Sequence, residues 1–264
     1  LAITTPIPVL LLTLAGLYAA GKKIAQSPGS PRAATSLLLV AWVIGPLTAF
    51  VILRPAAYDG IRHFLFLLPA VALLSAVGLA WVADEILPLP RARMLLVTTA
   101  ALLLFIGFQS AQLHPYQTSY FNGLVGGIAG SENDYDVDYW ATSYRDAAEC
   151  LQREEDPGTS ETRRRLLVAG TDFLVPAVRA YVKPGTKIGA VSEVEPFWPG
   201  VILRDTSLVA VPHTRAANPR REFDYYLATA RYEADEYFPA APVVCRVRRK
   251  GATLSVVKRL GDFR

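Results

Sequence analysis

Charge is scarce in the first part of this chain, and histidine and cysteine are scarce throughout. Residues 1–110 hold seven basic and three acidic residues, a net of +4, while residues 111–264 hold twenty of each. The formal charge of +4 therefore lies entirely in the first part. The second part lacks the basic excess that a nucleic-acid partner requires, which excludes that class. The three histidines, His63, His114 and His213, and the two cysteines, Cys150 and Cys245, fall at no zinc-ligand spacing. A Gly-x-Ser-x-Gly elbow and a phosphate-cradling P-loop are also missing, which removes serine hydrolysis by that motif and P-loop nucleotide chemistry.

What is present is apolar. Four segments stand out: Pro6 to Ala20, reaching back toward Leu1, then Ser36 to Leu53, Phe64 to Ala83 and Met94 to Gly107. About 20 apolar residues cross the hydrocarbon core of a bilayer as a helix, and these segments meet that length alone or with their flanks. The chain opens on Leu1, already approaching an apolar segment, with no charged n-region or small-residue cleavage site. It reads as the later part of a longer chain, not as a signal peptide. The connections orient the spans. Lys22, Lys23 and Arg32 in the first, and Arg91 and Arg93 in the third, place both in the cytoplasm by the positive-inside rule. The second connection, with Arg54 and Arg62, and everything after the fourth span then fall outside. A transporter is disfavoured, because no charged or polar residue is expected deep within the spans.

The expected architecture is a multi-pass α-helical membrane region of four transmembrane helices over 1–110, followed by a small α/β extracytoplasmic domain over 111–264. In the second part a helix is expected from Ser143 to Arg153, with Thr142 or Ser143 as N-cap and Asp146 in its first turn. Strands are expected at Arg164 to Ala169, Lys187 to Val194 and Asp224 to Thr229. A helix is expected from Asp172 to Tyr181, and a short amphipathic piece around Glu233. The run Val243 to Lys258 reads as a hairpin turning at Arg249-Lys250-Gly251-Ala252, with one face on a core and the other in water. Strands alternating with helices argue an α/β layer structure.

The richest stretch is Tyr58-Asp59-Gly60-Ile61-Arg62-His63, set directly before an apolar span. Arg62 is either an anchor that snorkels to the interface or a fork of donors for phosphate oxygens. His63 adds a second donor or caps the span. Asp59 either orients Arg62, binds an acceptor hydroxyl or simply turns the loop beside Gly60. Tyr58 is either an interfacial belt residue or a ligand. A second stretch gathers His114, Tyr116, Tyr120, Asn122, Asp138, Tyr139 and Trp140, residue types that bind sugars through hydroxyl bonds and ring stacking and that also do structural work at headgroups. Asp134, Asp136 and Asp138 alternate as in a calcium loop, but the glycine at the sixth position and the glutamate at the twelfth are missing. Glu193 and Glu195, near Trp198, form either a carboxylate pair or a solvated strand edge. Cys150 and Cys245 form either a disulfide, permitted outside the cell, or two buried thiols.

Tyr58-Asp59-Gly60-x-Arg62-His63-Phe64-x-Phe66-x-x-Pro69 resembles a signature of bacterial multi-pass glycosyltransferases of the GT-C class, related to the dolichyl-phosphate-mannose protein mannosyltransferases of glycosyltransferase family 39. His114-Pro115-Tyr116, Tyr120-Phe121-Asn122, Val125-Gly126-Gly127, Asp138-Tyr139-Trp140 and Ser143-Tyr144 resemble the segment after the last membrane helix in one branch of that group. The two blocks cover about the middle third of the chain. The resemblance implies a protein of the bacterial cytoplasmic membrane that takes sugar from a polyprenyl-phosphate donor and passes it to a glycan, lipid or protein acceptor on the outer face. It implies that Arg62, His63, Asp59 and Tyr58 meet the donor phosphate. The catalytic acid, and any divalent metal it holds, are expected upstream of Leu1. The alternative is a non-catalytic, membrane-anchored binding or structural domain.

Overall fold

The computed structural model describes residues 1–55, 60–85, 90–153, 165–170, 174–191, 208–210 and 223–260. They form two compact units. One comprises Leu1–Gln112 with Phe121–Val125, and the other Leu113–Tyr120 with Gly126–Arg264.

The first unit is helical. Helices α1 (Ile7–Gln26), α2 (Pro31–Leu53), α3 (Leu68–Glu85) and α4 (Arg91–Leu113) follow in order. Four helices, counting the turn that leads into α3, are long and apolar enough to cross a membrane. Apolar side chains also face outward: Leu53 is 74% exposed and Leu104 75%. Ser30 caps α2 by accepting from the Ala33 amide at 3.1 Å, and Pro31 occupies the first turn, where its missing N–H costs nothing. The third span opens as a 3-10 turn over Gly60–Leu67 and becomes α-helical at Leu68. Pro69, with its fixed φ and no amide to donate, suits the first turn of that α-helix.

Helices α1 and α3 run parallel and touch backbone to backbone. A methyl on Gly16 would lie 1.9 Å from the Leu74 carbonyl oxygen, and one on Gly78 would lie 2.1 Å from that of Leu12. The same contact buries two hydroxyls, Thr13 and Ser75, with their oxygens 2.9 Å apart. Each also reaches a carbonyl one turn earlier, Val9 for Thr13 and Val71 for Ser75. The expectation of spans without interior polar groups is corrected here: close small-residue packing leaves the hydroxyls a partner across the interface. At the far end of both helices Lys22 meets Glu85 at 2.7 Å.

The second unit carries α5 (Gly127–Ser131), α6 (Tyr144–Arg153), β1 (Arg165–Ala169), α7 (Leu174–Arg179), β2 (Lys187–Val191), β3 (Leu208–Ala210), β4 (Tyr225–Thr229), β5 (Val243–Arg249) and β6 (Ala252–Arg259). The sheet order is β3-β2-β1-β4-β6-β5. The first four strands are parallel, and β6 and β5 add an antiparallel hairpin. One face, with Leu166, Val168, Ile188, Leu227 and Val257, packs under α6 and α7. The other, with Leu167, Ala169, Tyr226 and Ala228, packs against Phe223, Ala234 and Ala241.

Most expected elements of this unit are present within a few residues; β3 was not expected. Position 164 of the first expected strand, positions 172–173 of the expected helix and positions 192–194 of the second expected strand lie outside the described residues. The hairpin needs correction. Strand β5 alternates as expected, but β6 is buried from Ala252 through Lys258. It lies inside the sheet, between β4 and β5, and both its faces are covered. Lys258 is therefore buried, donating to the Tyr237 carbonyl at 2.8 Å, and desolvation lowers its pKa.

Cys150 of α6 and Cys245 of β5 are joined as a disulfide across 95 residues of chain, with Cα atoms 6.1 Å apart.

These contacts set three expected outcomes. Gly78→Leu drives a side chain into the α1 backbone and is expected to cost about 3 kcal/mol or more. Gly21→Ala, where a methyl meets open space, is expected to be neutral or stabilising by up to about 1 kcal/mol. Thermal melting of both in the same micelle ranks them. Reducing the Cys150–Cys245 bond is expected to remove roughly 2–5 kcal/mol from the sheet unit, read as a lower denaturation midpoint with thiol present.

Candidate functional site

The residues singled out in the sequence fall in both units. In the helical unit, Arg62 and His63 lie on the 3-10 turn leading into α3, and both are exposed. The turn is held by Leu67, fully buried, and by Phe64, whose ring meets Phe50 of α2 edge-on at 4.9 Å. The result is an always-charged guanidinium next to an imidazole at the end of an apolar span, a setting suited to an anionic oxygen cluster. Tyr58 and Asp59 lie outside the described residues.

Asn122 also belongs to this unit and is 2% exposed. Its amide nitrogen donates to the carbonyls of Ala2 and Thr5, both at 2.7 Å, and its side-chain oxygen accepts from the Leu124 amide at 2.9 Å. These bonds staple Phe121–Val125 to the segment before α1. Its polar atoms are thereby engaged in architecture. Phe121 and Tyr120, on either side of the unit boundary, are half-buried.

In the sheet unit, a cis peptide joins His114 to Pro115. His114 is exposed, with Nδ1 2.9 Å from the Gln117 amide nitrogen, and its carbonyl accepts from Arg249 of β5. Tyr116 is buried, and its phenol donates to Asp146 of α6. Burial first, and Asp146 second, raise the phenol above its ordinary value.

Asp138 is the most heavily bonded residue of the site. Its Oδ1 accepts from the Thr142 amide at 2.8 Å and hydroxyl at 2.6 Å; its Oδ2 accepts from the Ser143 amide at 2.9 Å and hydroxyl at 2.6 Å. Thr142 and Ser143, expected as caps, thus direct their hydroxyls to Asp138. Ser143 also lies 2.8 Å from the Ser255 hydroxyl of β6. The closed loop holds Ala141 at a φ of +50°, a left-handed conformation that costs roughly 1–2 kcal/mol for a residue with a Cβ. Tyr139 and Trp140 meet edge-on at 5.2 Å on this loop. The Arg231 guanidinium lies 3.9 Å from the centre of the Tyr139 ring and donates to the Tyr139 carbonyl at 3.4 Å.

The structure therefore brings Asp138, Tyr139 and Trp140 into one rigid loop, and links Tyr116 to α6, which that loop begins. Arg231 was missed in the sequence. It stands 92 residues from Tyr139, and no local pattern connects them. Among the described residues no cluster of three or more His, Cys, Asp or Glu side chains could hold a metal ion. Glu193, Glu195 and Trp198 lie outside the described residues.

No protein-family model, curated protein or solved structure matches this chain.

The raised Tyr116 pKa has a pH consequence. The folded state holds the phenolic proton more tightly than the unfolded one, so the contribution is complete below the ordinary value of 10.0 and is lost as pH rises above it. Tyr116→Phe is expected to flatten that alkaline loss. Denaturant midpoints of both proteins from about pH 8 to about pH 11 check this.

Proposed function

We propose that this chain is part of an integral membrane glycosyltransferase that uses a polyprenyl-phosphate sugar as donor and acts on the outer face of a cytoplasmic membrane. The observation that carries the reading is the Arg62–His63 pair, exposed at the start of the third apolar span, within a motif resembling that of GT-C enzymes. Orientation rests on charge. Lys22, Lys23, Arg32, Arg91 and Arg93 mark the cytoplasmic connections, so Arg62 and the chain after Leu113 fall outside. The Cys150–Cys245 disulfide supports the same side, since such bonds persist in oxidising compartments.

In the proposed reaction a base takes the proton of an acceptor hydroxyl, and the acceptor oxygen attacks the anomeric carbon. The bond from that carbon to the phosphate oxygen breaks, and the lipid phosphate leaves with the electron pair. Arg62 and His63 donate hydrogen bonds to the leaving phosphate, where negative charge grows in the transition state. We assign no base within residues 1–264. A second reading, a membrane-anchored binding domain without catalysis, draws on the sheet unit, which has its own core and disulfide.

The protein in nanodiscs, titrated with a radiolabelled polyprenyl-phosphate sugar, tests the donor site. Arg62→Ala is expected to weaken binding by roughly 10- to 100-fold, the range of a charge-assisted hydrogen-bond pair, and Arg62→Lys by less. Equal affinity in wild type and Arg62→Ala would remove the donor role and leave the anchored-domain reading.

A further inference from the structure

In open sheets of parallel strands, ligands bind beyond the carboxyl ends of the strands, where the chain reverses its direction of winding. Here the chain moves outward from β1 to β2 to β3, then crosses back to place β4 on the other side of β1. The reversal falls between β1 and β4, which flank each other in parallel.

The loop 138–144 is fastened at that edge from both strands. The Tyr144 hydroxyl donates to the carbonyl of Ala169, the last residue of β1. Arg231, two residues beyond the end of β4, holds Tyr139 by its ring and its carbonyl. Ser143 bonds Ser255, which pairs with Thr229, the last residue of β4. Within this loop Asp138, Ala141, Ser143 and Tyr144 are buried, while Trp140 is 43% exposed. A left-handed alanine directly follows the tryptophan. Backbone strain of that kind, held by a loop whose carboxylate accepts four bonds, fixes the backbone that carries Trp140.

We infer that Trp140 is a stacking platform for a neutral sugar ring at the carboxyl edge between β1 and β4. A pyranose packs its C–H face on an indole and keeps its hydroxyls in water, and such packing needs a rigid aromatic with little rotamer freedom to lose. A dinucleotide is disfavoured. The sequence after β1, Gly170-Thr171-Asp172-Phe173-Leu174, has one glycine and an acid where pyrophosphate sites carry a glycine-rich turn. Residues 111–264 have no net charge to attract an anion. Identifying this sugar as the acceptor rests on the transferase reading; the binding itself does not.

The test uses the whole chain in nanodiscs on an array of neutral oligosaccharides, with soluble titration of the retained glycans. Wild type and Trp140→Phe are expected to be retained, and Trp140→Ala to lose roughly tenfold or more in affinity, as aromatic anchors do. Wild-type melting temperature and an intact disulfide on non-reducing gels show that Trp140→Ala has folded. No retained glycan, or equal affinity in Trp140→Ala, overturns the inference. So does Trp140-dependent fluorescence quenching by brominated phospholipids, which would seat the ring among headgroups. The array reads binding alone, so its failure leaves donor binding at Arg62 untouched, and the reverse also holds.

Discussion

The carboxylate of Asp138 is the interaction on which the sheet unit turns. By accepting two amides and two hydroxyls from Thr142 and Ser143, it closes a loop and starts α6 in one place. Helix α6 then distributes that position. Tyr144 reaches the end of β1, Asp146 takes the Tyr116 phenol, Ala147 and Leu151 enter the core, and Cys150 bonds β5. A buried carboxylate without such bonds would be expensive. With them it stiffens the segment that presents Trp140.

The helical unit, with four helices long and apolar enough to cross a membrane, packs in a different way. A span in hydrocarbon must satisfy its backbone internally and can gain little from burying apolar surface against a neighbour. Close approach is then won by small residues. Gly16 and Gly78 let α1 and α3 meet at backbone distance, and the Thr13–Ser75 pair uses the same contact. Arg62 and His63 remain at the end of this packing, on a short turn that Leu67 and Phe64 fix from the apolar side.

The spans were legible because their signal is local: long apolar runs with charges only at the ends. The strands at Arg165, Lys187 and Tyr225 and the helix to Arg153 were legible for the same reason. What the sequence concealed depends on partners distant in the chain. Strand β6 carries alternating residues like its neighbour β5, but an interior position buries both its faces, Lys258 included. Strand β3 spans three residues and shows no period. The bond of Tyr139 to Arg231 and that of Thr13 to Ser75 cross 92 and 62 residues. Asp138 was legible as a residue of interest beside Tyr139 and Trp140, but its bonds to its own loop depend on a left-handed turn at Ala141 that no composition rule announces. The cysteine pairing was open in the sequence, since spacing says nothing of distance.

The two outer strands of the described sheet differ from the inner ones in a way that bears on pairing between copies of the sheet. Exposed strand edges invite pairing with other chains. On one side lies β3, described at Leu208–Ala210. On the other, β5 carries Arg246, Arg248 and Arg249, and its register with β6 shifts twice, between Val243 and Cys245 and between Val247 and Arg248. Like charges facing like charges, on an edge bent by irregular pairing, resist edge-to-edge growth. The β5 edge is thereby a poor template for pairing with another copy of the sheet.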